Sequence, residues 1–144
     1  MVLNSVLASA VSLTFVALAI WHLWMALSPE VNAAGAVPSV AGRPVTVPST
    51  KAFVGVAAVL LTFAGLVAAT GGIVQVRLSA KHLSWLAFGL SLGLLARAIG
   101  EFKYVGFFKR VRGTRFARLD TLVYSPLCLL LAAGVALVAT NHRS

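Results

Sequence analysis

Four runs of apolar residues divide the chain: about Leu3–Leu27, Ala52–Gly72, Leu83–Phe102 and Thr121–Thr140. Roughly 20 mostly apolar residues cross ~30 Å of hydrocarbon. With no water there to satisfy the backbone, such a run must be helical. The pattern therefore predicts an all-α fold, a four-helix transmembrane bundle forming one integral membrane domain over residues 1–144. The first run has no basic residue before it and exceeds a signal-peptide core, so it is read as a retained span. The fourth contains Pro126, and Ser125–Pro126 reads as N-cap and first helical residue. That leaves a helix of ~22 Å, unless Thr121–Tyr124 add a turn above a kink. Gly89 and Gly93, with Gly55, Ala58 and Gly65, are expected to let helices approach closely.

The connections differ in character. Residues 28–50 hold four of the five prolines and should drape over the bundle as an extended segment. Residues 73–82 form a short link. Residues 97–120 carry seven of the twelve Lys and Arg and two of the three acids. There Tyr104, Phe107, Phe108 and Val111 recur at helical spacing, opposite Lys103, Lys109, Arg110 and Arg112. This predicts a short interfacial amphipathic helix between spans 3 and 4, ending at Gly113.

Composition agrees with the pattern: 60% apolar, 10% charged, mean hydropathy +0.96, against about a quarter charged in soluble domains. A net charge of +9 would by itself point to nucleic acid. The basic residues are confined between apolar runs, as in membrane proteins, so no nucleic-acid partner is expected. Four spans put both termini and the second connection on one side, A, and the other two connections on side B. Side B carries eight Lys and Arg and side A three, Arg97 lying within the third span. The positive-inside rule then expects side B in the cytoplasm and the termini on the non-cytoplasmic side.

The groups capable of chemistry gather on side B. Arg97 and Glu101 are four apart, on one helical face. They read either as a neutralised interfacial pair or as a functional one, since charge within a span costs about 2.5–3.5 kcal/mol at its centre. His22 lies between Trp21 and Trp24, as an interfacial residue or as a group facing Arg97 or Glu101. Arg110, Arg112, Arg115 and Arg118 offer guanidinium forks suited to phosphate oxygens. Asp120 either caps the last helix or orients Arg115 and Arg118, and Tyr124 and Cys128 begin the last span. The lone Cys128 reads as an inert thiol. His22, Met25, Glu101 and Cys128 show no metal-ligand spacing, so no metal is expected. Neither a phosphate loop nor a hydrolase motif is present, and no cofactor is implied.

The stretch Arg97-Ala-Ile-Gly-Glu-Phe-Lys-Tyr-Val-Gly-Phe-Phe-Lys-Arg, with Thr114, Phe116, Asp120 and Tyr124-Ser-Pro-Leu-Cys, resembles the signature of a family of small bacterial four-span membrane proteins, a domain of unknown function. Gly42-Arg-Pro-Val-Thr-Val-Pro-Ser and Trp21-His22 fit it too, with Glu101 where members commonly carry Asp. The resemblance implies a four-span fold in a bacterial inner membrane and brings no activity. The residues themselves favour a non-enzymatic protein that binds an anionic lipid headgroup or a phosphorylated small ligand at a side-B pocket. In that pocket His22, Arg97, Glu101, Arg110, Arg112, Arg115, Arg118, Asp120 and Tyr124 are the candidate ligand-binding residues. The rivals are an intramembrane enzyme with His22 and Glu101 as acid and base, and an accessory subunit packed on a membrane protein partner.

Overall fold

A computed structural model of the protein describes residues 2–29 and 35–142. The elements run α1 (Val2–Leu27), a two-stranded hairpin β1 (Ser39–Val40) and β2 (Arg43–Pro44), α2 (Thr50–Thr70), α3 (Ala80–Ile99), α4 (Arg115–Leu119) and α5 (Ser125–His142). A π-helical turn, Asp120–Tyr124, joins α4 to α5. Four helices are long and apolar enough to cross a membrane: α1, α2, α3 and the continuous Arg115–His142 rod. At ~1.5 Å per residue even α3 is about 30 Å long, matching the hydrocarbon thickness. Leu13, Leu92, Leu122 and Leu130 are all exposed on outward faces. Apolar surface of that extent belongs in lipid rather than water.

Local chemistry fixes the helix ends. The Ser49 and Ser79 side chains accept the backbone N–H of Ala52 and His82, capping α2 and α3. Gly72 and Gly100, with φ of +75° and +89°, turn the chain out of the same helices. Pro126 explains the π turn. It has no N–H to give to Leu122, so the ladder slips by one residue and the Ser125 N–H bonds to the Asp120 carbonyl. Ser125 is therefore helical rather than an N-cap. Thr121–Tyr124 supply the added turn, and the last span begins at Arg115.

α1 packs along α2 and α3 along α5, α1 and α5 joining the two pairs. Ala8, Phe15, Val67, Ala87, Val135 and Val138 form the shared core. Gly134 and Gly71 permit the close approaches. A Cβ would sit 2.8 Å from Val11 at Gly134 and 2.2 Å from Ala8 at Gly71. The expected close-packing residues Gly55, Gly65, Gly89 and Gly93 have nothing within 4 Å of a would-be Cβ, so they mark no close helix approach among the described residues. Ser12, Ser84 and Ser91 instead reach across to carbonyls of Ala64, Ala139 and Ala132 at 3.1, 3.4 and 2.7 Å. In a membrane each such bond contributes about 0.6 kcal/mol.

The contacts at the two ends confirm the predicted sides. Gly71 meets Ala8 and Ser84 meets Ala139 at side A. At side B the Tyr124 hydroxyl donates to the Gly35 carbonyl at 3.3 Å, tying the last helix to the first connection. In the described residues 35–49 of that connection no helix forms, and its hairpin turns at Ala41 and Gly42, both at positive φ. Glu30, expected near side B, lies outside the described residues.

Candidate functional site: a buried ion cluster beneath basic clefts

The third connection is built around one carboxylate. Asp120 has no solvent exposure. Its Oδ1 accepts from Arg97 Nη2 at 3.0 Å, and its Oδ2 accepts from Gly106 N at 2.7 Å and Lys109 Nζ at 3.0 Å. The buried Lys109 ammonium also donates to the Gly106 carbonyl at 2.9 Å and the Thr121 hydroxyl at 2.6 Å. Both charges are thereby fully hydrogen-bonded, the condition under which a buried ion pair is tolerated.

This cluster decides the course of residues 100–114. Gly100 and Gly106, both at φ +89°, cross backbone to backbone. A Cβ on Gly100 would lie 1.8 Å from the Val105 carbonyl oxygen, and one on Gly106 would lie 2.2 Å from that of Ile99. Phe107 N–H bonds to the Ala98 carbonyl, and Arg110 and Val111 N–H to that of Lys103. Residues 104–112 are consequently not helical, so the expected interfacial helix between spans 3 and 4 does not form. The next helix, Arg115–Leu119, is already the start of the last span and is capped by the Thr114 hydroxyl. The amphipathic spacing assigned Lys109 to a solvated face. Satisfying a buried carboxylate outweighs the few tenths of a kcal/mol that a short surface helix offers. The exposed rings of Phe102 and Phe108 lie 6.4 Å apart on this connection.

Other expected pairings are also replaced. Arg97 bonds to Asp120 and not to Glu101. Glu101 is exposed and accepts the Tyr104 N–H at 3.2 Å, closing a turn. Asp120 neither caps a helix nor orients Arg115 and Arg118. His22 faces the α2 side of α1, its ring 6.3 Å from that of Phe53 and its Nδ1 2.7 Å from the Leu18 carbonyl oxygen. No hydrogen bond or ion pair joins it to Glu101 or Arg97. Tyr124 acts as a strut, its ring 6.0 Å from Phe116 and its hydroxyl on Gly35. Lys109, Gly106 and Thr121 were not among the candidates. The signal for Lys109 was the scarcity of acids, since any buried carboxylate here must draw in a neighbouring cation.

Three of the remaining candidate arginines, Arg112, Arg115 and Arg118, border two adjoining clefts. One, of about 760 Å³, opens between the hairpin of the first connection and the segment Arg112–Phe116, with Ser39, Pro44 and Thr46 on its far wall. The other, of about 630 Å³, is lined by Lys109, Arg118 and Thr121 and shares Arg112–Arg115 with the first. Arg112 Nε donates to the Lys109 carbonyl at 3.4 Å, and the Arg115 side chain lies over Gly35, whose Cβ would sit 3.0 Å from Nε. Among the described residues no carboxylate pairs with Arg110, Arg112, Arg115 or Arg118, because Asp120 is engaged elsewhere. Arg110 is exposed and lines neither cleft. No group of three potential metal ligands occurs among the described residues.

The class of protein is thus a membrane-spanning four-helix bundle, tied at one end by a buried carboxylate and open there in basic clefts. The chain belongs to the family described as Protein of unknown function (DUF3995), whose model matches residues 15–135. The match takes in the ion cluster and both side-B connections, and it bears out the resemblance to a family without a defined activity. No curated protein and no solved structure matches the chain.

Proposed function

We propose that the chain is a non-enzymatic protein of a bacterial inner membrane that binds a phosphate-bearing anion, a lipid headgroup or a small phosphorylated ligand, in the side-B clefts. Side B faces the cytoplasm in this reading, and the termini lie on the opposite side. One observation carries it: Asp120 is consumed by Lys109 and Arg97, which leaves Arg112 and Arg115 bordering both clefts without a carboxylate among the described residues. Guanidinium groups in that state are complementary to phosphate oxygens. His22 and Glu101, the pair that an acid–base mechanism requires, have separate partners, which weighs against the enzymatic rival.

The test is calorimetric titration of the detergent-purified chain with soluble glycerol phosphate and, separately, with phosphatidylglycerol. Replacing Arg112 and Arg115 together by Gln should weaken one or both titrations by roughly tenfold or more, the equivalent of a single lost charge-assisted hydrogen bond. The two ligands distinguish a free metabolite from a lipid headgroup. If both titrations are the same in the variant and the parent, the clefts are not the site.

A further inference from the structure

α2 and α3 pack together far less closely than α1 with α2 or α3 with α5. Between them an open groove of about 910 Å³ runs from Val76 and Leu78 at side A to Arg97 at side B. Its walls are apolar, Phe63, Leu66, Leu83 and Leu90 among them, and only Thr62 and Arg97 bring polar side chains. The Thr62 hydroxyl is already bonded to the Ala58 carbonyl at 3.0 Å. Gly65, Gly89 and Gly93 line the groove with open space above them. They widen it and make no contact that would account for them.

The groove is apolar along its length and cationic at one end. Arg97 stands within a turn of the side-B end of α3, and about 36% of its side chain is exposed. Its Nη2 is held by Asp120, while Nη1 is buried with no hydrogen-bond partner among the described residues. Arg97 and Lys109 share the single Asp120 carboxylate, so the cluster keeps one net positive charge (two cations less one anion). From Arg97 to Leu83 is about 21 Å of helix at ~1.5 Å per residue. That exceeds the ~15 Å depth of one leaflet's hydrocarbon, half of ~30 Å.

We infer that this groove is a lipid site, taking one acyl chain of an anionic phospholipid from the side-B leaflet, with the phosphate at Arg97. A helix of a second copy fits less well. Asp120 is the one carboxylate in the described helices and is sealed, so such a helix would bring no anion to Arg97. This site is separate from the arginine-lined clefts and stands or falls independently of them.

Because a Cβ at Gly89 or Gly93 meets nothing, the groove can be filled without disturbing the core. Native mass spectrometry of the full chain, exchanged into detergent with dipalmitoyl phosphatidylglycerol or the matching phosphatidylcholine, reads retained lipid directly. The parent should keep phosphatidylglycerol in preference to phosphatidylcholine. Gly89→Leu/Gly93→Leu should lower that retention by about tenfold, with an unchanged melting temperature and unchanged glycerol phosphate titration at the clefts. Gly65→Leu, filling the groove from the opposite wall, should act the same way and covers the case in which the α3 pair fails to fold. Arg97→Gln should remove the preference between the two lipids. Undiminished retention in both filled variants overturns the site. So does equal retention of the two lipids by the parent, or a second copy or other membrane helix released when the groove is filled.

Discussion

Lys109 and Asp120 face each other across the third connection, Nζ 3.0 Å from Oδ2, with both side chains almost wholly removed from solvent. Eleven residues of sequence separate them, and a surface helix would have pointed the lysine outward. The pair instead pins residues 100–114 to the start of the last span. Removing one partner of a buried pair leaves an uncompensated charge, at a cost of about 3–5 kcal/mol. Asp120→Asn strands the buried Lys109 ammonium and should destabilise the protein by about that amount in chemical unfolding from micelles. Lys109→Met, which leaves Asp120 with Arg97, should lose only part of this stability. Lys109→Arg should not restore that part, because a planar fork cannot reproduce three bonds from one tetrahedral nitrogen. A loss below about 1 kcal/mol in Asp120→Asn, the scale of an exposed pair, would show that the pair is not buried in the membrane-embedded protein.

The crossing of Gly100 and Gly106 makes a second, independent demand on the same connection. Each would thrust a Cβ into the other's backbone, whereas Gly113, at φ +83°, has open space around it. Gly113→Ala should cost only the strain of a positive φ, about 1–2 kcal/mol. Gly100→Ala and Gly106→Ala should each cost clearly more and should loosen the Lys109–Asp120 pair. Thermal unfolding of the three variants side by side checks this, and equal losses at all three positions would refute the crossing.

How much of this is legible in the sequence follows from which forces act locally. The four spans are legible because each is a continuous apolar run whose backbone has one way to be satisfied in lipid. The clustering of charge on side B follows from connectivity alone. The partners of Arg97, Lys109 and Asp120 are not legible. Arg97 has Glu101 four residues away, and local spacing favours that pair until the chain folds Asp120 into the interior. The helical spacing of Tyr104, Phe107, Phe108 and Val111 is real but short. Gly100, Gly106 and the buried carboxylate override it through contacts that no window of eleven residues contains. Pro126 announces an irregularity, but that it takes the form of a π turn depends on α4 continuing the helix upstream.

His22 offers a test that separates the binding reading from an enzymatic one. Its ring packs beside Phe53, and its Nδ1 lies on the Leu18 carbonyl of its own helix. His22→Leu keeps apolar bulk there and removes a bond that local geometry makes modest, about 0.5–1.5 kcal/mol. Stability should fall by no more than about that much, and the glycerol phosphate and phosphatidylglycerol titrations should be unchanged. Lost binding in a folded His22→Leu variant would return this histidine to the site.

Orientation is the last expectation that the charges support. Arg110, exposed in the third connection, belongs to the side-B group of eight basic residues, and the exposed Arg77 to the side-A group of three. Insertion follows such a bias in short connections because positive charge resists translocation. In a Cys128→Ala background, Arg77→Cys should react with a membrane-impermeant maleimide on intact bacterial cells. Arg110→Cys should react only after permeabilisation. Each substitution removes one charge, which leaves a bias of seven to three in one variant and eight to two in the other, so neither change reverses the sign. The opposite labelling pattern would place the arginine-lined clefts outside the cell, where a cytoplasmic phosphorylated ligand could not reach them.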